Sequence, residues 1–227
     1  MSERLLHILI ESFPRILGQG ILVTIPLTLI SFSLALIIAM ICAMIQIANI
    51  RGLKQIVRFY IWIVRGTPLL VQLYLIYFGL PDLGIVLPAL PCAVLVFALN
   101  EGAYCSETMR AAIESVPKGQ MEAGYCVGMN YLQIMRRIVL PQAFRTAFPP
   151  LSNSLISMVK DTSLAANITV VEMFMTAQRV AGSTYEHLAL YIETALIYLL
   201  FCTVFTRLQA LGEKKLNRLN GGNTIHA

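Results

Sequence analysis

The chain has 227 residues, of which 57% are hydrophobic and only 13% are charged, with a formal net charge of +5. A soluble globular protein typically carries about 25% charged residues, so this composition indicates an integral membrane protein rather than an ordinary soluble domain. No basic stripe interleaved with aromatic residues occurs, so nucleic acid is not an expected partner. Because one membrane helix needs about 20 apolar residues, the length leaves room for roughly five spans in one all-α domain.

Residues 1–19 mix apolar and charged side chains, which predicts a short amphipathic helix at the membrane interface that ends near Pro14. The transmembrane domain, 20–211, contains apolar segments long enough to cross the lipid bilayer as helices. We expect the spans at about 20–47, 56–79, 90–112, 147–168 and 187–211. A polar, basic loop at 113–146 separates the third span from the fourth, and residues 212–227 form a tail.

The placement of lysine and arginine predicts the orientation in the membrane. With five spans, most of these residues fall on one side: Arg51, Lys54, Arg58, Arg110, Lys118, Arg136, Arg137, Arg145, Arg207, Lys214, Lys215 and Arg218. Only Arg4, Arg15 and Arg179 fall on the other. Since positively charged loops stay in the cytoplasm, we expect the N-terminus outside and both the 113–146 loop and the C-terminal tail in the cytoplasm.

The loop at 113–146 carries a pattern of acidic, small and apolar residues. Glu122-Ala123-Gly124 is followed after three residues by Gly128, and after nine more by the run 138–141, Ile-Val-Leu-Pro. Glycine permits sharp turns, so we expect a short helix, a bend at Gly128 and then a second helix. From physical chemistry alone, the first helix either lies on the membrane or inserts into a groove on a soluble partner.

This pattern resembles the cytoplasmic "EAA" loop of membrane subunits in ATP-binding-cassette importers. In that family a separate ATPase subunit grips the loop, so the resemblance implies a coupling role for this segment. The residues expected to take part are Glu122, Ala123, Gly124, Gly128, Met129, Arg136, Arg137 and Pro141. Gly124 stands where the family usually has a second alanine, and we expect the smaller residue to be tolerated there.

Ionisable and polar residues also occur inside the apolar segments, where they are costly and usually face a cavity or one another. The candidates for a solute pathway are Arg65, Glu107, Asn153, Ser157, Lys160 and Asp161. Both signs of charge are present, which suits a zwitterionic solute whose carboxylate and ammonium groups both need partners. The alternative is that these groups neutralise one another as buried pairs, as Lys160 and Asp161 could.

Three further motifs resemble the polar amino acid permease subfamily of these importers. They are the runs 65–70 (Arg-Gly-Thr-Pro-Leu-Leu), 102–104 (Gly-Ala-Tyr) and 160–164 (Lys-Asp-Thr-Ser-Leu). The resemblance implies a type I importer, MetI-like permease fold with five helices. It also implies a second permease subunit, identical or similar, two copies of an ATPase and an extracytoplasmic binding protein. A mid-membrane solute pocket would involve Arg65, Glu107 and Asp161, lined by Asn153 and Ser157.

The chain lacks the G-x4-G-K-[ST] phosphate loop, so ATP and Mg are expected on the partner ATPase and no cofactor on this chain. No nucleophile elbow or H-E-x-x-H motif is present, which argues against an enzyme, including a lipid-modifying one. The sequence therefore predicts a permease subunit that moves a polar amino acid across a bacterial inner (cell) membrane by alternating access. The rival is an ion-coupled secondary amino acid transporter, which predicts inverted repeats and no docking loop.

Overall fold

The computed structural model describes residues 3–218, except for the side chain of Asn217, and the regular structure of that part is entirely helical. The last part of the predicted tail, 219–227, lies outside the described residues. We number the helices α1 (Glu3–Ala48), α2 (Arg51–Gly66), α3 (Leu69–Leu83), α4 (Ala89–Glu114), α5 (Lys118–Cys126), α6 (131–161), α7 (Met173–Thr184) and α8 (His187–Arg218). Single π turns interrupt α1 at Gly20–Thr24, α3 at Leu75–Gly79 and α6 at Met135–Val139, and a 3-10 turn, Thr162–Ile168, follows α6.

The prediction that the first helix ends near Pro14 is wrong, because α1 continues through Pro14 as one helix of 46 residues. Proline removes one backbone hydrogen bond, but packing on either side of it keeps the helix intact. Ser12 and Ile16 are buried where this part of α1 contacts α7 and α8. At 1.5 Å per residue α1 is about 69 Å long, more than twice the roughly 30 Å of a bilayer core. Only part of α1 is therefore needed to cross the membrane.

The second predicted span, 56–79, falls on two helices that meet at an angle of 107°. Thr67 and Pro68 are extended and separate α2 from α3. The side-chain amide of Gln72 donates hydrogen bonds to the carbonyl oxygens of Val64 (2.8 Å) and Thr67 (3.1 Å), which the break leaves without helical partners. Its own oxygen accepts from the side chain of Asn100 on α4 at 3.0 Å, so the break is fixed to the centre of the bundle.

Helix α4 lies at the centre and contacts α1, α2 and α6. Its longest contact is with the second half of α1, where Ala35, Ala39 and Ala43 are fully buried. Gly102 of α4 faces this surface so closely that a Cβ there would lie 2.9 Å from Cγ2 of Ile38. Small residues at such contacts let helix backbones approach, and this close packing stabilises helix pairs in a membrane.

Within the described residues, three helices are long and apolar enough to cross a membrane, and the bent α2–α3 pair makes a fourth. The remaining predicted span, 147–168, coincides with the second half of α6 and its 3-10 turn. That segment does not pass the same test, because its polar and charged residues, which lie on more than one face, lower its mean hydropathy. The side chains that interrupt its apolar pattern are those that line the grooves described next.

Candidate functional site

The loop after α4 forms a closed, well-capped turn between α5 and α6. Gly128 adopts a left-handed conformation (φ +79°), and the backbone N–H groups of Gly128 and Met129 donate to the carbonyls of Tyr125 and Gly124, each at 3.0 Å. This pair of bonds is the Schellman motif that commonly ends helices at glycine. The predicted bend at Gly128 is confirmed. The sequence analysis missed the next feature, a capping box in which Asn130 and Gln133 begin α6.

Gly124 is the contact point between α5 and α6. It is buried, and a Cβ at this position would lie 2.7 Å from Cγ1 of Ile134 and 3.2 Å from Cδ1 of Ile138. Glycine in place of the usual alanine therefore makes room for the side chain of Ile134, which packs against this position. We expected glycine merely to be tolerated, but in this packing the position has no room for a methyl group.

The outer face of the same turn is apolar and exposed. Val127 and Leu132 are each 76% exposed, and Tyr125 is 51% exposed. Large apolar side chains this exposed at a loop tip typically mark a contact surface for another protein. We call Tyr125, Val127 and Leu132 the loop tip. None of the three is among the predicted coupling residues, although apolar side chains in an otherwise polar loop are a readable signal.

The predicted coupling residues divide between the outside and the inside of the loop. Six of them are exposed in the structure: Glu122, Ala123, Gly128, Arg136, Arg137 and Pro141. Met129 is half-buried and packs against the main hydrophobic core, as Gly124 packs against Ile134. The exposed residues are thus available to a partner, whereas Met129 and Gly124 shape the loop.

Three of the predicted pathway residues meet in one groove of about 490 Å³ between α3, α4 and α6, which we call the polar groove. Asn153, Ser157 and Asp161 line it from α6 at helical spacing. The other lining residues are Leu69, Asn100, Glu101, Tyr104, Pro150, Ser154 and Leu164. Two carboxylates, Glu101 and Asp161, therefore line the same groove, an arrangement that suits a positively charged group.

Arg65 lies at the edge of the polar groove. Its guanidinium carbon is 5.1 Å from the ring centroid of Tyr104, within the range of a cation–π interaction. Arg65 is not among the residues that line the polar groove, and its side chain instead lines a second groove beside α2. Arg65 thus stands between the two grooves.

Glu107 is not in the polar groove. It lines the second groove, of about 330 Å³, which we call the basic groove and which is formed by Gln46, Lys54, Arg58, Ile61, Trp62, Arg65, Glu107, Arg110 and Glu114. Its carboxylate accepts from Arg110 at 2.7 Å and from the Gln46 amide at 3.1 Å. For Glu107, the alternative of charge neutralisation by a neighbouring residue therefore fits the structure.

Lys160 is exposed on a different face of α6 from Asp161. It lines a third cavity, between α6, α7 and α8, with Phe174, Tyr191 and Tyr198 among its neighbours. Successive residues on a helix are about 100° apart, so adjacency in sequence does not place two side chains in one site. The structure shows no ion pair between Lys160 and Asp161, both of which lie in its described part.

Ser154 lines the groove but was missed by the sequence analysis. Glu101 is one of the ionisable residues that occur within the apolar segments and Tyr104 belongs to the 102–104 motif, but neither was placed in the predicted pocket. Ser154 shares the spacing of Pro150, Ser157 and Asp161 along α6, so helical periodicity alone would have placed it. Glu101 and Tyr104 could not be placed so simply, because they face the groove from another helix. Among the described residues, no group of three or more His, Cys, Asp or Glu side chains has a geometry suited to a metal ion.

Comparison with known proteins assigns the class. The family model of the binding-protein-dependent transport system inner membrane component matches residues 35–218. The L-cystine transport system permease protein TcyB of Bacillus subtilis is 46% identical over 209 residues, covering 92% of this chain and 89% of that protein. The arginine transport system permease protein ArtQ of the same organism is 34% identical over 208 residues, covering 91% and 94%.

Solved structures agree with these sequence matches. The crystal structure of an amino acid ABC transporter with histidines contains a chain that superposes with a TM-score of 0.86 at 32% identity, covering 95% of this chain and all of that one. An inward-facing structure of the MetNI methionine ABC transporter superposes with a TM-score of 0.69 at 17% identity, covering 95% and 99%, which shows the shared fold.

The all-α, MetI-like fold class and the predicted permease class are therefore confirmed, and the chain is a transport component rather than an enzyme. Its place is the inner membrane, which it crosses more than once. A family model that covers most of the chain, relatives that match it nearly end to end and a similar solved chain all agree. This protein belongs to the family of inner membrane components of binding-protein-dependent transport systems.

Proposed function

We propose that this chain is the permease subunit of an ATP-binding-cassette importer that carries a polar amino acid by alternating access. Two permease subunits, identical or similar, would enclose the pathway, and two ATPase subunits would bind ATP and Mg. An extracytoplasmic binding protein would deliver the solute. The observation that carries the proposal is the polar groove, where two carboxylates and several hydroxyl and amide groups face one space between three helices.

The chemistry of the groove suits one end of an amino acid. Every free amino acid carries an ammonium group near neutral pH, and Glu101 and Asp161 would accept its hydrogen bonds. Asn153 and Ser157 can donate to or accept from polar groups further along the solute. Arg65, stacked at the edge on Tyr104, would face the solute carboxylate on entry or exit.

Uptake kinetics of a matched pair of aspartate variants test the groove. Asp161→Asn keeps the shape of the side chain and removes its charge, so we expect the KM for the transported amino acid to rise about tenfold. Asp82→Asn makes the same change at an exposed position in the last turn of α3 and should leave uptake unchanged. An unaltered KM in both Asp161→Asn and Glu101→Gln would contradict a solute site in the polar groove.

The loop tip would be the surface that the ATPase grips. Val127 and Leu132 are largely exposed apolar side chains on a turn that its own backbone bonds hold in shape. A short, preformed apolar projection loses little conformational entropy when it enters a groove on a partner. Exposed Glu122, Arg136 and Arg137 beside it would add charged contacts at the rim.

Co-purification with the ATPase tests this second part. Val127→Asp should abolish stoichiometric recovery of the ATPase, because the substitution places a charge in the apolar contact. Val86→Asp is the matched control, since Val86 is 77% exposed and precedes α4, at the opposite end of that helix from the loop. Full recovery of the ATPase with Val127→Asp would exclude the loop tip as the contact.

A further inference from the structure

The basic groove is distinct from the polar groove in both position and charge. It lies where the end of α1, the helix α2 and the last turns of α4 converge. Gln46 comes from α1, Lys54 and Arg58 come from α2, and Arg110 and Glu114 come from α4. Because α4 leads directly into α5, this groove is at the same end of the molecule as the loop 113–146, which we call the coupling loop after its predicted role.

The cations of this groove outnumber its carboxylates, and a single arginine forms ion pairs with both carboxylates. Arg110 forms ion pairs with Glu107 at 2.7 Å and with Glu114 at 2.6 Å. The ammonium group of Lys54 donates to the side-chain oxygen of Asn49, at 2.7 Å. In the described part of the chain, Lys54, Arg58 and Arg65 have no carboxylate within ion-pair distance. The groove therefore presents an excess of positive charge to whatever enters it.

An apolar rim borders this charge. Trp62, which lines the groove, is 71% exposed, and Phe59 and Ile56 on the same helix are 60% and 65% exposed. The rings of Phe59 and Trp62 lie 5.9 Å apart. A soluble anion would contact the cations but would make no contact with this apolar surface. A molecule with an anionic head and apolar tails would cover both.

We propose that the basic groove binds the headgroup of an anionic phospholipid, whose acyl chains lie along the apolar edge of α2. Basic pockets between membrane helices near the cytoplasmic surface are suited to such headgroups, and tryptophan is suited to the interface beside them. Lys54 and Arg58 contact the phosphate, and Trp62 packs where the glycerol meets the acyl chains. Since Arg110 and Glu114 lie in the last two turns of α4, where that helix enters the coupling loop, the lipid holds the membrane end of this loop.

Trp62 is the only tryptophan of the chain, so its fluorescence reports on this groove without labelling. The purified full-length chain in nanodiscs is titrated with dibrominated phosphatidylglycerol or dibrominated phosphatidylcholine, since bromine quenches indole on contact. We expect phosphatidylglycerol to quench at a lower mole fraction than phosphatidylcholine. Equal quenching by the two lipids would overturn the proposal. Loss of the preference on adding inorganic phosphate would also overturn it, because the groove would then take a soluble anion.

Two variants that are expected to change the lipid preference in opposite directions distinguish lipid binding from misfolding. Arg58→Gln should lower the preference for phosphatidylglycerol about fivefold, the effect of one cation at an anionic surface. Arg207 is an exposed arginine on α8 outside the groove, so Arg207→Gln should leave the preference unchanged. Glu114→Gln should raise it, since it frees the charge of Arg110, and a misfolded protein could not show such a gain. An unchanged preference in both Arg58→Gln and Glu114→Gln would overturn the assignment.

Discussion

Two glycines of the coupling loop are required for different physical reasons. Gly128 is required by its backbone, because φ is +79° and side chains with a Cβ disfavour that region. Gly124 has no such constraint and is required by its neighbour, because Ile134 occupies the space that a methyl group would need. The family resemblance drew attention to both positions, but only the structure distinguishes a conformational requirement from a packing requirement.

Replacing Gly124 with the residue common in the family should destabilise this chain. Gly124→Ala forces Ile134 to shift, and overpacking of this kind costs about 1–3 kcal/mol. The measurement is the melting temperature of the purified protein, which should fall. Gly119→Ala on the same helix is the control, because no atom lies within 4 Å of the added methyl group there. Equal melting temperatures for the two variants would show that the α5–α6 contact is looser than described.

Substitutions at Gly128 should follow backbone preference rather than side-chain size. Asparagine visits the left-handed region readily, whereas a β-branched residue there costs about 1–2 kcal/mol or more. We expect Gly128→Val to insert in the membrane but to uncouple ATP hydrolysis from uptake, and Gly128→Asn to retain most coupling. ATP consumed per solute transported in proteoliposomes is the quantity to compare. Similar ratios for both variants would mean that the left-handed turn is not needed.

At the scale of elements, the first part of α1 is held by a buried polar contact rather than by apolar packing alone. Ser12 is 1% exposed and donates to a carboxylate oxygen of Glu193 on α8 at 2.5 Å. Nearby, Glu172 is fully buried and caps α7 by accepting from the backbone N–H groups of Phe174 and Met175. These contacts tie α1, α7 and α8 into one unit beside the central bundle.

Removing only the serine hydroxyl should destabilise this unit. Ser12→Ala leaves the Glu193 carboxylate buried without its donor, which costs about 1–3 kcal/mol. Replacing both groups, as in Ser12→Ala with Glu193→Leu, should recover most of the loss, because no unsatisfied polar group remains. Thermal unfolding of the two variants and of Ser33→Ala, whose hydroxyl is exposed, gives the comparison. A double variant less stable than Ser12→Ala would contradict this account.

Elements with a strong local signal were predictable from the sequence. Apolar length located the helices at 20–47, 90–112 and 187–211, and glycine located the bend at Gly128. Pro14 misled the prediction because tertiary packing keeps a helix continuous where local chemistry alone would end it. The angle between α2 and α3 depends on the Gln72 network with α4, which no local pattern encodes.

The candidate site was predictable only along a single helix. Asn153, Ser157 and Asp161 share one face of α6, so their spacing already placed them together. Glu107 and Asp161 were grouped because both are charges within apolar segments, yet they line different grooves. Packing over the whole bundle determines which helices face one another and in what register. This packing therefore determines which groove or cavity Glu101, Glu107 and Lys160 each line.

At the scale of the whole molecule, the orientation in the membrane follows from charge and can be tested with a native residue. Cys126 is an exposed cysteine at the end of α5, whereas Cys42, Cys92 and Cys105 are buried. We expect a membrane-impermeant maleimide to label the chain in inside-out vesicles and not in intact cells. Bound ATPase should protect Cys126, since it adjoins the loop tip.

The control for this labelling is Cys126→Ser, which should lose the signal in inside-out vesicles. Cys202 is only partly buried on α8, so the variant also shows how much label that residue takes. Labelling of intact cells that depends on Cys126 would reverse the predicted orientation and place the loop outside, where no ATPase could reach it.

Helix α6 connects the coupling loop to the polar groove and is continuous apart from the single π turn at Met135–Val139. Leu132 and Ile134 lie at one end, and Asp161 lies at the other, about 40–44 Å away at 1.5 Å per residue. A tilt of about 5° imposed at the loop would move the far end by about 4 Å, roughly the width of a methylene chain. A rigid tilt of α6, rather than a series of small changes in side-chain contacts, would then convert the movement of the ATPase into a change in the width of the polar groove. The stiffness of α6 between the loop and Asp161, a segment that includes Pro149 and Pro150, would then be a property on which the proposed transport mechanism depends.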